Sequence, residues 1–190
     1  MVSTWYTLSG PDNESHMCGS ADRLFDNLPD LAVCPVCQYK SDPSYLNAAF
    51  RMSRRSYDLS FTYDGYCIAS SRFMEVCLSH GLVGGVFRPL PGDREFFHLT
   101  SDQIVEFDAV RRKTRFERFC VSCGLYGAVA GATPAYLRGI PANDFSCTDL
   151  CFGSGNEKQP LIVVSALARK TLADERLRGP EFRQTAGERL

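Results

Sequence analysis

Apolar positions fall in short blocks parted by Gly, Pro, Ser and Asp, a pattern that predicts strands more often than helices. Residues 5–8 predict a short strand, and polar turn material fills 10–30. Residues 31–33 then lead into a Cys pair. Residues 40–56 fit no single period, with 48–54 a candidate helical turn, and 57–63 alternate as a strand. Residues 66–69 predict a strand end. Ser70 or Ser71 follows as a helix cap, and Phe73, Met74, Val76, Cys77 and Leu78 form the apolar face. Glu75 falls near the first turn, where a carboxylate favours the positive dipole end. Gly81 is a stop signal, and residues 86–88 begin a strand that ends at Pro89, Pro91 and Gly92.

The C-terminal region repeats this order. Residues 161–164 are β-rich, Ser165 is a cap, and 166–174 predict a helix. Gly179 and Pro180 break it, and 181–184 predict a strand. Laying Phe87-Arg88 over Phe182-Arg183 brings Ser70 onto Ser165, Ile68 onto Val163, Leu82 onto Leu177 and Gly84 onto Gly179 without a gap. Such self-similarity at a fixed offset is the mark of a repeat. Between the two regions, residues 95–99, 104–107 and 115–119 predict strands, with turns at Asp93 and at Ser101-Asp102; the last strand carries a second Cys pair. The fold class expected is α+β: mixed or antiparallel sheets with two strand–helix–strand units, a pseudo-symmetric duplication, joined by the paired Cys knuckles. One domain over residues 1–190 is expected, with similar halves at about 31–92 and 93–187.

Composition adds limits. A chain of 190 residues, 44% hydrophobic and with 13 Phe and 8 Tyr, can bury a core without disulfides. Lys and Arg (21) balance Asp and Glu (22), so no global field attracts nucleic acid or an anionic membrane. The basic groups Arg51, Arg54, Arg55 and Arg111, Arg112, Lys113, Arg115, Arg118 read as solvated faces. Residues 1–10 lack the pattern of a secretory signal, and the longest apolar run, 161–164, is too short to span a bilayer. A cytoplasmic location is expected. Thiols are kept reduced there, so the nine cysteines read as metal ligands and small buried hydrophobes.

Cys34-Pro35-Val36-Cys37 and Cys120-Val121-Ser122-Cys123-Gly124 are the chemistry-bearing motifs. A tight C-x-x-C turn brings both sulfurs to one side, and two such turns complete a tetrahedral zinc site. The pairs are far apart in sequence, so the tertiary fold must unite them. A redox C-x-x-C would open a helix, which neither following segment favours; an iron–sulfur cluster lacks its tight spacing. Structural zinc on Cys34, Cys37, Cys120 and Cys123 is the first reading, with no metal, redox or iron–sulfur chemistry as alternatives. Cys147 and Cys151, with Cys18 and His16, are candidates for a second site but read more simply as buried thiols, as do Cys67 and Cys77.

Catalysis finds little support. His16, His80 and His98 stand at no motif spacing, and four thiolates leave zinc no open position. Ser70 and Ser165 are explained by capping, and the Asp93/Glu95 and Asp102/Glu106 carboxylates by turns. A non-enzyme is expected.

Taken together, Leu28-Pro29 before the first knuckle, Arg88-Pro89-Leu90-Pro91-Gly92, the second knuckle, Asp144-Phe145, Ile162-Val163-Val164-Ser165 and Gly179 with Phe182-Arg183 resemble the double-CXXCG motif proteins of myxobacteria. The resemblance runs from about Leu28 to Gln184. It departs at Gln38, where that family has glycine. It implies an immunity protein of a polymorphic toxin system, which binds and neutralises a cognate protein toxin while zinc serves as scaffold. A surface between Asp93 and Asp108 is the expected toxin contact. The rival reading is a zinc-ribbon nucleic-acid-binding or regulatory protein. It draws on the run from Arg111 to Arg118, where Phe116 and Phe119 interleave with basic residues.

Overall fold

The structure, a computed structural model, describes residues 4–186; the expected outer limit of the second half, residue 187, lies outside them. Strands and helices follow in the order β1 (Trp5–Ser9), β2 (Leu59–Phe61), β3 (Cys67–Ser70), α1 (Ser71–Ser79), β4 (Val86–Pro89), β5 (Phe96–Thr100), β6 (Ile104–Phe107), α2 (Ala109–Arg112), β7 (Arg115–Phe119), β8 (Tyr126–Ala130), β9 (Leu137–Arg138), β10 (Phe145–Ser154), β11 (Gln159–Ser165), α3 (Ala166–Asp174) and β12 (Glu181–Gln184). Strand outweighs helix, and the class is mixed, as expected.

Two sheets form. The smaller runs β2-β3-β5-β4, and all its pairs are antiparallel. The larger runs β12-β1-β11-β10-β6-β9, with β8 paired to β10 and β7 to β8. One pair in it, β6 with β10, is parallel. The first strand of the chain therefore lies between two of the last three, β11 and β12.

Local chemistry explains the helices. The Ser70 hydroxyl accepts a hydrogen bond from the Phe73 amide at 3.2 Å, and the Ser165 hydroxyl accepts one from the Ala168 amide at 3.0 Å, each satisfying an orphan donor of the first turn. Phe73, Val76 and Cys77 of α1 are buried, whereas Leu78 points outward. Glu75 lies beyond the first turn, which holds no acidic residue, so the expected dipole contribution is absent. Residues 48–54 form no helix. Asn47 takes the amide of Ala49 on its side chain and that of Phe50 on its carbonyl, a local turn that competes with helical bonding.

The main core lies between the sheets and draws on α1 and α3: Leu8, Leu59, Phe73, Leu99, Phe145, Val164, Ala168 and Leu172 belong to it. Burying one such Phe or Leu is worth about 2–3 kcal/mol. A second cluster, with Met17, Cys18, Phe50, Tyr66, Ile68 and Phe96, packs the segment 10–56 against the other face of the small sheet. Among the described residues no helix is long and apolar enough to cross a membrane.

Candidate metal centre

Each Cys pair sits at the tip of a hairpin. Strands β7 and β8 close the second one, with Phe119 opposite Tyr126. The first is a single antiparallel bridge, Val33 to Lys40. Backbone bonding is the same in both. The Cys34 amide donates to Tyr39 O and the Gln38 amide to Cys34 O; the Cys120 amide donates to Leu125 O and the Gly124 amide to Cys120 O. The residue after the second cysteine must turn left-handed, and Gly124 does so at φ +72° without steric cost. Gln38 adopts the same conformation at φ +61°, held by its side-chain amide on Pro35 O at 2.8 Å. Where a glycine is the natural choice, this chain uses a side chain that bonds its own loop.

The fold unites the hairpins. The Cys34 and Cys120 sulfurs lie 3.9 Å apart, those of Cys37 and Cys123 3.6 Å, and all four are within 4.8 Å of one another. A disulfide needs about 2.05 Å, so these are free thiols. Sulfurs at about 2.3 Å from a tetrahedral centre would be about 3.8 Å apart, and the observed separations bracket that value. It is the only group of three or more metal-ligating side chains among the described residues.

Electrostatics differ within each pair. Cys34 is lowered to about 6, first by the Cys37 amide and then by the Val36 amide aimed at its sulfur. Cys120 is lowered in the same way by the Cys123 amide. Cys37 is pushed up to about 12 by burial. In both knuckles the backbone amides aimed at the first sulfur favour its thiolate form.

Sequence reasoning missed the lysines behind the site. Lys158 is buried; it donates to Tyr126 O at 2.6 Å and covers the Tyr39 ring at 4.6 Å, joining the two hairpins. Its pKa is lowered by burial and supported by the nearby Cys37 and Cys123. Lys40 is likewise buried, with its amide on the Asn156 side chain and its ammonium on Tyr66 Oη, both at 2.8 Å. Nothing in a lone lysine's sequence context signals such burial.

The other candidates do not assemble. Cys147 lies in the main core, and Cys18 contacts Tyr66 Oη at 3.3 Å, its amide held by Asp64. His16 packs against the Tyr63 ring in a tilted arrangement, 5.0 Å between centroids. The segment from Asp93 to Asp108 divides between the two sheets. Four of its five acids are engaged, Asp93 and Glu95 by Arg55, Glu106 and Asp108 by Arg138, and Phe96 and Phe107 are buried. In the basic run every residue of β7 is exposed, with Phe116 and Phe119 flanking Tyr126 at ring distances of 5.0 and 4.9 Å. A surface cleft of about 470 Å³ opens beside the first knuckle, lined by Leu24, Phe25, Leu28, Leu31 and Val33.

No family model matches the chain, and no curated protein matches it.

Proposed function

We propose that the four cysteines hold one structural zinc ion and that the protein is a non-enzymatic binding protein whose two similar halves the ion clamps together. The carrying observation is the sulfur tetrad: four thiols from two hairpins at near-tetrahedral separations. Four thiolates saturate zinc, so no position is left for a substrate or water. The zinc–thiolate unit would be dianionic, and buried Lys158 stands where a counter-charge is useful. The partner implied by resemblance is a cognate protein toxin met in the cytoplasm.

The test is metal analysis of protein purified from minimal medium, beside the Cys34→Ser/Cys120→Ser variant. One zinc per chain is expected, with loss of metal and folding in the variant. Little metal, with a folded variant, would defeat the zinc reading. The toxin reading is tested separately, by placing beside this chain's gene any neighbouring open reading frame that kills the host when expressed alone; survival equal to that of cells lacking the protein, or no such neighbour, would refute it.

The nucleic-acid reading draws support from the exposed β7 edge, where Phe116 and Phe119 stand among Arg111, Arg112, Lys113, Arg115 and Arg118. Binding of single strands at low salt, falling steeply as salt rises, would favour it.

A further inference from the structure

We infer that the chain is two tandem repeats, residues 5–92 and 96–184, that exchange their first strands across a local twofold axis running through the cysteine tetrad. The inference goes beyond the zinc reading and does not depend on which metal, if any, is bound.

Register carries the argument. In the small sheet β5 lies between β3 and β4, with His98 opposite Ile68 on one side and Arg88 on the other. In the large sheet β1 lies between β11 and β12, with Thr7 opposite Val163 and Arg183. Ile68 and Val163, and Arg88 and Arg183, are the residues that the 95-residue overlay brings together. The neighbouring pairs agree as well: Phe97 faces Ala69 where Tyr6 faces Val164, and Phe96 faces Ser70 where Trp5 faces Ser165. The outer strands match too, Leu59 opposite Ala69 and Phe145 opposite Val164. The two central strands read Trp-Tyr-Thr-Leu-Ser and Phe-Phe-His-Leu-Thr.

Each central strand belongs in sequence to the other repeat. Strand β1 opens the first repeat and completes the sheet of the second; β5 opens the second and completes the sheet of the first. This is reciprocal domain swapping within one chain.

A twofold axis makes equivalent residues meet, and they do. Cys34 touches Cys120 and Cys37 touches Cys123, each pair 86 residues apart. His80 meets Glu175 at 2.9 Å, 95 residues apart. The two offsets differ because the β10–β11 hairpin is longer than the β2–β3 hairpin: the paired residues Phe145 and Val164 are 19 positions apart where Leu59 and Ala69 are 10.

Crossed contacts obey the same symmetry. Asp58 takes the Ser70 hydroxyl of its own repeat at 3.0 Å and the Arg178 amide of the other at 2.8 Å. Asp144 takes the Ser165 hydroxyl at 2.6 Å and the Val83 amide at 3.1 Å. Gly179 passes so close to Leu59 O, and Gly84 to Phe145 O, that a Cβ would stand 2.0 and 2.5 Å away.

The experiment is a full chain with a protease site placed in the turn at 91–94, cut after folding. The nicked protein is expected to elute as one species of uncut size, with or without chelator, its fragments parting only in denaturant. Separation into two folded bodies would overturn the inference; chelator-induced separation of that kind would show metal alone joins them. Should the inserted site prevent folding, hydrogen exchange on the uncut chain decides. Amides of β1 are expected to be protected as strongly as those of β3, and β1 amides exchanging a hundredfold faster, like a frayed terminus, would overturn it.

Discussion

His98 makes stability sensitive to mild acid. Its side chain is 4% exposed, and its Nδ1 has no hydrogen-bond partner among the described residues. Burial, reinforced by the like charges of Arg88 and Lys40, lowers its pKa from 6.5 to about 4. The folded state therefore keeps the ring neutral. Above pH 6.5 both states are neutral and the full stability is present. As pH falls below 6.5 the unfolded chain takes up a proton that the folded chain refuses, and stability is lost until the folded group itself titrates near pH 4. Each unit is worth about 1.4 kcal/mol, so His98 alone costs about 2.5 kcal/mol at pH 4.5. The assay is urea unfolding of the parent and of His98→Phe between pH 7.5 and 4.5. The variant carries a constant packing penalty but no titration, and acid release of metal acts on both proteins. The stability difference is expected to move by about 2–3 kcal/mol in the variant's favour on acidification. A difference that stays flat would show that the ring is not held neutral in the core.

Two further measurements probe the backbone and the crossed contacts. Gly179→Ala combines φ +107° with a Cβ 2.0 Å from Leu59 O, whereas Gly124→Ala meets nothing and carries only φ +72°. Thermal melts should show a loss of about 3 kcal/mol or more for the first and about 1–2 for the second; equal losses would contradict the close approach. Asp58→Ala removes acceptors for Ser70, Arg72 and the Arg178 amide. Urea unfolding should show about 2–3 kcal/mol of destabilisation, and a change under 0.5 would mean these bonds are replaced by water.

Strong local signals were legible and tertiary ones were not. Helix α3 and strands β6 and β12 fall where their periodicity and flanking Gly or Ser place them. The cysteine tetrad came from motif spacing alone. Strand β8 was missed because Tyr126–Ala130 is rich in Gly and Ala, which carry little β preference. Strand β10 was missed because it buries Ser146 and Thr148 and shifts register between Cys147 and Cys151. The Thr148 hydroxyl makes up the broken ladder by accepting the Leu161 amide and donating to Leu150 O. The partners of β1 and β5 were beyond reach, since both strands pair far from their sequence neighbours. The sequence offsets of 86 and 95 held the clue, but linking them needed the registers.

The position of β1 also sets a timetable for biosynthesis. The strand made first needs both β11 and β12, which end at Gln184, before its backbone groups find partners. At 5–20 residues per second, roughly 9 to 35 seconds pass while Trp5, Tyr6 and Leu8 wait without a sheet. The small sheet lacks its middle strand, β5, until the second repeat is under way, and the large sheet lacks both neighbours of β1 until that repeat is nearly complete. Folding is therefore a late event dominated by distant pairings, which are slow to form. A chain truncated before β11 would lose its beginning as well as its end.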